Sequence, residues 1–341
     1  MRVALRTTAG KSIGLGHLRR CLTLAAELQN GGDTVELLLA GEAQGLELAA
    51  AWGVPGRLVA PPLLAIEPLL DQVDVLVIDD YGVRGAEFAA MQQRLTRRPS
   101  PGLLLVVDDL ADRPLAVDFV LNGNANADQL TYRVRSGTTM LLGARYSLLG
   151  PRFRALPKRT AQPALHRILV TLGGADPEGR TGAVTAELAG IFAQATLEVV
   201  LGPLFTDRAA LEQLAAGSGG RIRLHRGLTD LGPLMAAADL AVSGGGQTTY
   251  ELAAVGVPTV ALCLADNQRG NLAALAQVPT LLVVGDRHKT VGAAAIRLAF
   301  DVALRQRLID AGQALVDGRG ALRVARELRR GLAHKQGAAH A

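Results

Sequence analysis

The stretch LAVSGGGQTTYE, residues 240–251, decides the fold. An apolar run over Leu240–Val242 is followed by three glycines and then by a helical pattern that carries Glu251. A short aliphatic run, a glycine turn and a helix are typical of one strand–helix unit in a parallel sheet that is covered on both faces. The stretch therefore predicts an α/β protein.

The same stretch is a candidate nucleotide site. Backbone N–H groups in the three glycines and at the start of the following helix can surround a diphosphate. Glu251, one turn into that helix, can accept hydrogen bonds from both hydroxyls of a ribose. The alternative is an ordinary strand–helix turn with Glu251 on the helix surface. We favour the nucleotide site because the loop and the acid occur together.

The strand–helix alternation occurs twice along the chain. The predicted strands are Arg2–Leu5, Thr34–Leu39, Val75–Ile78, Leu103–Val107, Arg167–Thr171, Leu197–Leu201, Ile222–Leu224, Leu240–Val242 and Thr259–Leu262. Between the two series, Gly150-Pro151, Pro157 and Pro163 interrupt any regular pattern. We predict two Rossmann-like, doubly wound domains, 1–155 and 165–333, that face each other across a ligand-binding cleft, with a frayed tail over 334–341.

Composition excludes several classes of protein. The chain has 341 residues, 49% hydrophobic and 20% charged, which suits two globular domains. Its net charge of +5 comes from dispersed arginines, and the group at 323, 326, 329 and 330 fits a solvated helix face, so no nucleic-acid partner is expected. Two cysteines form neither a disulfide framework nor a metal cluster. Without a signal peptide or an apolar spanning run, we expect a cytoplasmic protein with no stable membrane association.

Two glycine patterns near the N-terminus resemble known nucleotide motifs but lack an essential residue. Gly10-Lys11-Ser12 matches the end of a P-loop, yet Leu5 stands where the first glycine is required. The segment 14–19, GLGHLR, begins as a dinucleotide fingerprint, but Arg19 replaces the third glycine. We therefore predict neither an ATPase nor a dehydrogenase. Gly14 and Gly16 still permit close approach of a ligand, and Gly173-Gly174 offer a second such turn.

His17 is the candidate catalytic residue. It follows Gly16 at the expected edge of the first sheet and begins a helix, and imidazole is suited to proton transfer near neutral pH. Acidic pairs also end two predicted strands at this edge, at 79–80 and 108–109. Asp79, Asp80 and Asp109 are therefore the alternative bases, and a structural role for His17 stays open.

These residues carry a resemblance to a known family. The matching blocks are IGLGHLRRCLTLA at 13–25, DDYG at 79–82, VDDLADR at 107–113, LGARYSLL at 142–149, LGGADP at 172–177 and ADNQ at 265–268. In this order they resemble the bacterial UDP-2,4-diacetamido-2,4,6-trideoxy-β-L-altropyranose hydrolases of pseudaminic acid biosynthesis, which are similar in fold to MurG-type GT-B glycosyltransferases. Such enzymes serve flagellin glycosylation.

The resemblance implies a metal-independent, inverting hydrolase of GT-B fold that needs no cofactor. The C-terminal domain would hold UDP, and His17 would activate the water that attacks the anomeric carbon. The substrate-binding residues implied are Arg6, Gly14, Gly16, Arg20, Asp80, Tyr81, Gly173, Gly174, Gly244, Gly245, Gly246, Gln247, Thr248, Glu251, Asn267 and Gln268. The chain departs from the family at Thr8, Asp80, Gln247 and Tyr250, which leaves the identity of the sugar open.

Two other functions remain open. A GT-B glycosyltransferase would pass the sugar to an acceptor other than water. A non-catalytic nucleotide-sugar-binding or scaffold protein would use the same loops without His17 chemistry. Each of the three interpretations has a small-molecule nucleotide sugar as its ligand.

Overall fold

The structure is a computed structural model that describes residues 1–10, 14–61, 63–174, 176, 178–202, 205, 209–228, 230–284 and 290–339. Two compact units divide the chain. The N-terminal unit contains Met1–Pro151 together with Gly318–Ala341, and the C-terminal unit contains Arg152–Asp317.

The N-terminal unit is built on a seven-stranded parallel sheet. Its strands and first helices are β1 (Arg2–Ala9), α1 (Gly16–Asn30), β2 (Thr34–Gly41), α2 (Gln44–Ala51), β3 (Gly56–Leu58), β4 (Val75–Asp79), α3 (Gly85–Thr96), β5 (Leu103–Val107), β6 (Pro114–Leu115), β7 (Phe119–Asn122), β8 (Arg133–Val134) and β9 (Thr139–Leu142). The strand order in the sheet is β3-β2-β1-β4-β5-β7-β9, and β6 pairs with β8 separately. A 3-10 helix over Leu63–Gln72 precedes β4.

Alternation along the strands explains the continuous apolar runs of the sequence. Val3 and Leu5 face the core that also contains residues of α1, whereas Ala4 faces the core beneath α3. In β4, Val75 and Leu76 divide between the same two cores. Because both faces of the sheet are buried, the central strands are nearly continuous apolar runs up to their carboxyl ends.

The C-terminal unit repeats the plan with six parallel strands. Its elements are β10 (Arg167–Thr171), α4 (Arg180–Ile191), β11 (Thr196–Leu201), α5 (Ala209–Ala216), β12 (Ile222–Arg226), α6 (Gly232–Ala237), β13 (Leu240–Gly244), α7 (Thr248–Val255), β14 (Thr259–Leu262), α8 (Arg269–Gln277), β15 (Leu282–Val283), α9 (Val291–Phe300) and α10 (Val302–Leu315). The strand order is β12-β11-β10-β13-β14-β15. The prediction of two doubly wound, Rossmann-like parallel sheets is confirmed.

Each sheet has a point where the strand order reverses, between β1 and β4 in one unit and between β10 and β13 in the other. Helices leave the two flanking strands toward opposite faces at such a point, so a crevice opens beyond the carboxyl ends of the strands. Ligand sites are therefore expected in the loops that follow these four strands.

The last helix, α11 (Gly320–Ala339), belongs to the N-terminal unit. Ala321, Val324, Ala325 and Leu328 are fully buried in the core that also contains residues of α1, at spacings of three and four residues that place them on one helix face. This corrects the predicted boundary at 333. The frayed tail predicted from 334 is also wrong, because the helix continues to Ala339 and Lys335 Nζ lies 2.8 Å from Asp118 Oδ2. Among the described residues, no helix combines the length and apolar character needed to cross a bilayer.

Candidate functional site

In the N-terminal unit, the loop from β1 to α1 brings His17 to the reversal point. Gly14 has a φ of +81°, a conformation that glycine adopts without strain, and its N–H donates to Gly10 O at 2.7 Å. A Cβ at Gly16 would meet no atom within 4 Å, so this residue lies on an open side of the loop. Residues 11–13, which include part of the motif, lie outside the described residues.

His17 forms a pair with Asp79, the last residue of β4. His17 Nδ1 lies 2.6 Å from Asp79 Oδ1, and the Asp79 side chain is fully buried. Burial alone would raise the pKa of this carboxyl, but Arg20 and His17 outweigh the burial and lower the pKa to about 2. An ionised carboxylate can only accept, so Nδ1 carries a proton and, in the neutral imidazole, Nε2 carries the lone pair. Such a pair is equipped to act as a general base.

Arg20 lies one turn further along α1 and links two carboxylates. Its Nε and Nη2 donate to the two oxygens of Asp79 at 2.5 and 2.6 Å, and Nη1 donates to Asp109 Oδ2 at 2.6 Å. Burial lowers the pKa of Arg20, but Asp109 and Asp79 reverse this and raise it well above its ordinary value. The sequence assigned Arg20 to substrate binding, but its guanidinium is engaged within the protein, so we correct its role to a structural one.

Tyr81 encloses the other side of His17. The two rings are 4.5 Å apart between centroids and nearly perpendicular, at 88°. Tyr81 OH donates to Asp109 Oδ2 at 2.5 Å, and Asn124 Nδ2 donates to Asp109 Oδ1 at 2.9 Å. Burial and the neighbouring Asp109 raise the pKa of the Tyr81 hydroxyl far above its usual range, so it remains a donor. Tyr81 is therefore at the predicted site, in contact with the candidate base.

Arg6 and Asp80 are not placed to bind a ligand through their charges. Arg6 is completely buried, and its guanidinium donates to Asp80 Oδ2 at 2.6 Å and to Pro61 O at 2.7 Å. The second oxygen of Asp80 accepts from Gly82 N at 2.8 Å. We correct the predicted substrate-binding role of both side chains, because a buried guanidinium is stable only when its charge is paired internally.

In the C-terminal unit, the three glycines after β13 have different surroundings. A Cβ on Gly244 would lie 2.5 Å from Leu264 Cδ1, and one on Gly245 would lie 2.6 Å from Leu272 Cδ1. The N–H of Gly245 donates to Leu262 O at 3.0 Å. A Cβ on Gly246 would meet nothing within 4 Å. The first two glycines thus serve packing, and the predicted role of the Gly245 N–H in holding a diphosphate is corrected; Gly246 faces open space.

The start of α7 has the character of an anion site. Within the part of the chain that the structure describes, no acceptor meets the N–H groups of Gly246 and Thr248. Gln247 stands at the N-cap position and its side chain makes no capping hydrogen bond. Glu251 is half-buried in the first turn. Free N–H groups and the positive end of the helix dipole favour a phosphate at this position.

The second candidate turn, after β10, is already occupied by a carboxylate. Gly173 has a φ of +102°, and Cβ atoms on Gly173 or Gly174 would meet nothing within 4 Å. Asp176 accepts hydrogen bonds from Arg180 N at 2.9 Å and Thr181 N at 2.6 Å, at the start of α4. This negative charge disfavours a phosphate at that helix end, so only the open backbone of the two glycines remains available. Ala175 and Pro177 lie outside the described residues.

Two predicted binding residues in the segment 265–268 differ in their exposure and in their contacts. Asn267 is exposed, whereas Gln268 Oε1 accepts from Leu264 N at 2.9 Å and Gly245 N at 3.2 Å. The side-chain oxygen of Gln268 therefore fixes the glycine loop, so a ligand role for this residue would fall to its amide nitrogen and stays a prediction. Tyr250, where the family has Trp, is buried, and its hydroxyl donates to Asn271 Oδ1.

The sequence named Asp79 and Asp109 only as alternative bases and gave no sign of Asn124, whereas the structure brings all three to the candidate site. They end or follow β4, β5 and β7, which are neighbours in the sheet, so their proximity follows from the parallel strand order. Acidic residues at the ends of two consecutive apolar runs were the available signal. Among the described residues, no group of three or more His, Cys, Asp or Glu side chains is arranged to hold a metal ion.

No protein-family model matches the chain. Among curated proteins, it is 24% identical over 336 residues to the spore coat polysaccharide biosynthesis protein SpsG of Bacillus subtilis, covering 95% of this chain and 96% of SpsG. It is also 24% identical over 287 residues to an uncharacterized protein of Methanocaldococcus jannaschii, covering 79% of this chain. The chain spans only 57% of the length of that archaeal relative.

Three solved structures are similar over 97% of the chain. They are Acinetobacter baumannii MurG (15% identity, TM-score 0.65, all of that chain), the calicheamicin glycosyltransferase CalG4 (14%, 0.64, 98%) and UDP-GlcNAc 2-epimerase from Neisseria meningitidis bound to UDP-GlcNAc (12%, 0.59, all of that chain). At these identities the likeness concerns the fold alone. The chain has the GT-B fold.

Proposed function

We propose that the protein is a glycosyl-transferring enzyme that acts on a nucleoside diphosphate sugar, with His17 as its general base. The observation that carries the proposal is the His17–Asp79 pair at the reversal point of the N-terminal sheet. The open N-terminus of α7, at the equivalent point of the other sheet, supports it as a site for the diphosphate. The GT-B structures with which the chain aligns include transferases and an epimerase bound to a UDP-sugar.

In the proposed reaction, His17 Nε2 takes the proton of an O–H nucleophile. The oxygen of that nucleophile forms a bond to the anomeric carbon as the bond from this carbon to the diphosphate oxygen breaks. The electron pair of the broken bond leaves with the nucleoside diphosphate, and attack opposite the leaving group inverts the anomeric centre. Asp79 keeps His17 in the required tautomer and stabilises the imidazolium that forms.

The C-terminal unit is proposed to bind the nucleotide. The N–H groups of Gly246 and Thr248 would receive the charge that develops on the leaving diphosphate. Glu251, in the first turn of α7, would accept from the ribose hydroxyls. Uridine is the proposed base, by analogy with the neighbour that binds UDP-GlcNAc.

The comparisons favour an acceptor hydroxyl over water as the nucleophile. MurG and CalG4 align over the whole length of the chain, and SpsG is a polysaccharide biosynthesis protein by name. Hydrolysis is the second candidate, and the block around His17 that resembles the diacetamido-sugar hydrolases specifically favours it. The two reactions share the donor, the base and the leaving group, and differ only in what His17 deprotonates.

Measuring UDP release from a panel of UDP-sugars, with and without candidate acceptors, tests the proposal. Transfer requires release that depends on an acceptor and a product that contains the sugar. Release without an acceptor, in step with free sugar, would instead establish hydrolysis. Saturable UDP-sugar binding with no release under either condition would contradict both reactions and leave a binding protein.

A further inference from the structure

His17 and four other side chains form a closed ring of contacts. His17 contacts Asp79, Asp79 accepts from Arg20, Arg20 donates to Asp109, Tyr81 donates to Asp109, and the Tyr81 ring packs against His17. We propose that Asp109 is a positioning residue for His17, acting through Arg20 and Tyr81. This inference rests on the proposed function, because it assumes that the orientation of His17 matters for turnover.

Asp109 holds both neighbours of His17 with a single oxygen. Its Oδ2 accepts from Arg20 Nη1 at 2.6 Å and from Tyr81 OH at 2.5 Å. Its Oδ1 accepts from Asn124 Nδ2 at 2.9 Å, and Asn124 follows the next strand of the sheet. The ring is thereby attached to β5 and to the segment after β7, which fixes the carboxylate itself.

Arg20 needs the second carboxylate in order not to displace His17. Arg20 Nη2 and His17 Nδ1 share Asp79 Oδ1 as acceptor, and the two nitrogens lie 3.1 Å apart. Both are donors in the tautomer described above, so their contact is repulsive. The hydrogen bond to Asp109 directs one arm of the guanidinium away from Asp79. Without it, we expect Arg20 to move toward Asp79 and to compete with His17 for that oxygen.

Tyr81 is the second route from Asp109 to His17. Its backbone carbonyl is fixed by Arg113 Nη1 at 2.5 Å, but the direction of its ring depends on the hydroxyl. Releasing the hydroxyl from Asp109 would free the ring to turn away from His17. The imidazole would then lose the neighbour that packs against it at 88°.

The ring also has an electrostatic effect. Asp79 and Asp109 supply two negative charges against one positive charge on Arg20, with the Tyr81 hydroxyl neutral and the Cys21 thiol, 3.7 Å from Asp79, kept neutral by burial. The surplus negative charge favours the imidazolium that forms when His17 accepts a proton. Removing Asp109 should therefore move the acidic limb of the kcat profile, where the base becomes protonated, toward lower pH.

The experiment compares Asp109→Ala, Asp109→Asn and the control Asp128→Asn, an exposed carboxylate in a nearby turn. We expect Asp109→Ala to lower kcat about tenfold or more, as for residues coupled within one hydrogen-bond network. Asp109→Asn, which keeps an acceptor, should retain more activity and still shift the acidic limb to lower pH. KM and UDP affinity should stay unchanged, since the proposed nucleotide site lies on the other unit. NMR of ¹⁵N-labelled imidazoles should show His17 changing from one tautomer to a mixture in Asp109→Ala.

Two results would overturn the inference. One is that the pH profile and the His17 tautomer stay unchanged in both Asp109 variants, even if kcat falls. A purely structural role of Asp109 would leave these two readouts unchanged. The other is an equal loss of kcat in Asp109→Asn and in the control Asp128→Asn. If Asp109→Ala does not fold, Asp109→Asn alone decides through the pH profile. A failure of the proposed function gives a different result, because His17→Asn would then turn over at the wild-type rate. The NMR experiment would still show whether Asp109 fixes the tautomer of His17.

Discussion

The two reversal points of this molecule have the same topology and opposite chemistry. In the N-terminal unit the crevice is lined by side chains, with His17, Arg20, Asp79 and Asp109 linked by short charged hydrogen bonds. In the C-terminal unit the corresponding loop offers backbone N–H groups and open space at Gly246. A side-chain network can hold and move a proton, whereas a backbone loop can hold an anion whose charge it does not titrate. On the proposed function, the same fold plan would serve proton transfer in one unit and anion binding in the other.

The largest effect is expected for His17→Asn, which tests proton transfer in the N-terminal unit. This substitution keeps a polar side chain and removes the basic nitrogen. If His17 is the base, kcat should fall by roughly 10²–10⁴-fold while KM changes little. Steady-state kinetics on a UDP-sugar that proves active in the panel measure both. His334→Asn, an exposed histidine on α11, is the matched control. Near wild-type turnover would require another base, and loss of UDP-sugar binding would make His17 a binding residue.

The proposed nucleotide site in the C-terminal unit is tested by Glu251→Ala. Removing the proposed acceptor for the ribose hydroxyls should weaken UDP binding by about 1.5–3 kcal/mol, the range for a hydrogen bond to a charged group. Calorimetry with UDP measures the loss, and Glu212→Ala, a glutamate on α5 of the same unit, is the control. Unchanged UDP affinity in Glu251→Ala would contradict the proposed contact between Glu251 and the ribose. The proposed diphosphate site at the start of α7 would then need a separate test.

A smaller effect concerns stability in acid and belongs to the N-terminal unit. The pKa of Asp79 is lowered from 3.8 to about 2, so its ionised form stabilises the folded state above about pH 4. That contribution is lost as the pH falls from about 4 toward 2. Asp79→Asn should therefore be less stable than wild type at neutral pH and lose less stability over that interval. Urea unfolding across this pH range checks it, with Asp128→Asn as the control; parallel curves for wild type and Asp79→Asn would contradict the prediction.

The smallest expected effect is that of chelation. If backbone N–H groups at α7 hold the diphosphate, turnover should be unaffected by EDTA. Kinetics with and without chelator, followed by addition of Mg²⁺ or Mn²⁺, provide the measurement. Activity that vanished and returned with the metal would show that the backbone loop does not suffice for the leaving group.

The fold was predictable from the sequence because both faces of each sheet are buried. Runs such as Val75–Ile78 and Leu103–Val107 are therefore uninterrupted apolar stretches in the sequence. The strands β3, β6, β7, β8, β9 and β15 were not predicted; each has only two to four residues, which is too few to show a clear pattern. α11 was assigned to the wrong unit, because its apolar face fits any core and periodicity does not say which one.

The candidate site was predictable only in part. His17 and Gly246 were predicted as candidates because glycines next to strand ends mark close approach to the backbone, and their roles stay predictions. The internal partners of Arg6, Arg20 and Gln268 could not be predicted, since these partners lie 74, 59 and 23 residues away along the chain. Whether a charged side chain points to a ligand or to a buried partner is decided by such long-range contacts, which no local pattern encodes.

The return of α11 has a consequence for how the protein is made. Because residues 318–341 complete the N-terminal unit, that unit cannot finish folding until α11 has been synthesised. The C-terminal unit is a continuous segment, Arg152–Asp317, and has all of its residues earlier. During synthesis the apolar surface that Ala321, Val324 and Leu328 later cover is exposed to water. The half of the protein that is translated first is therefore the half that completes its core last.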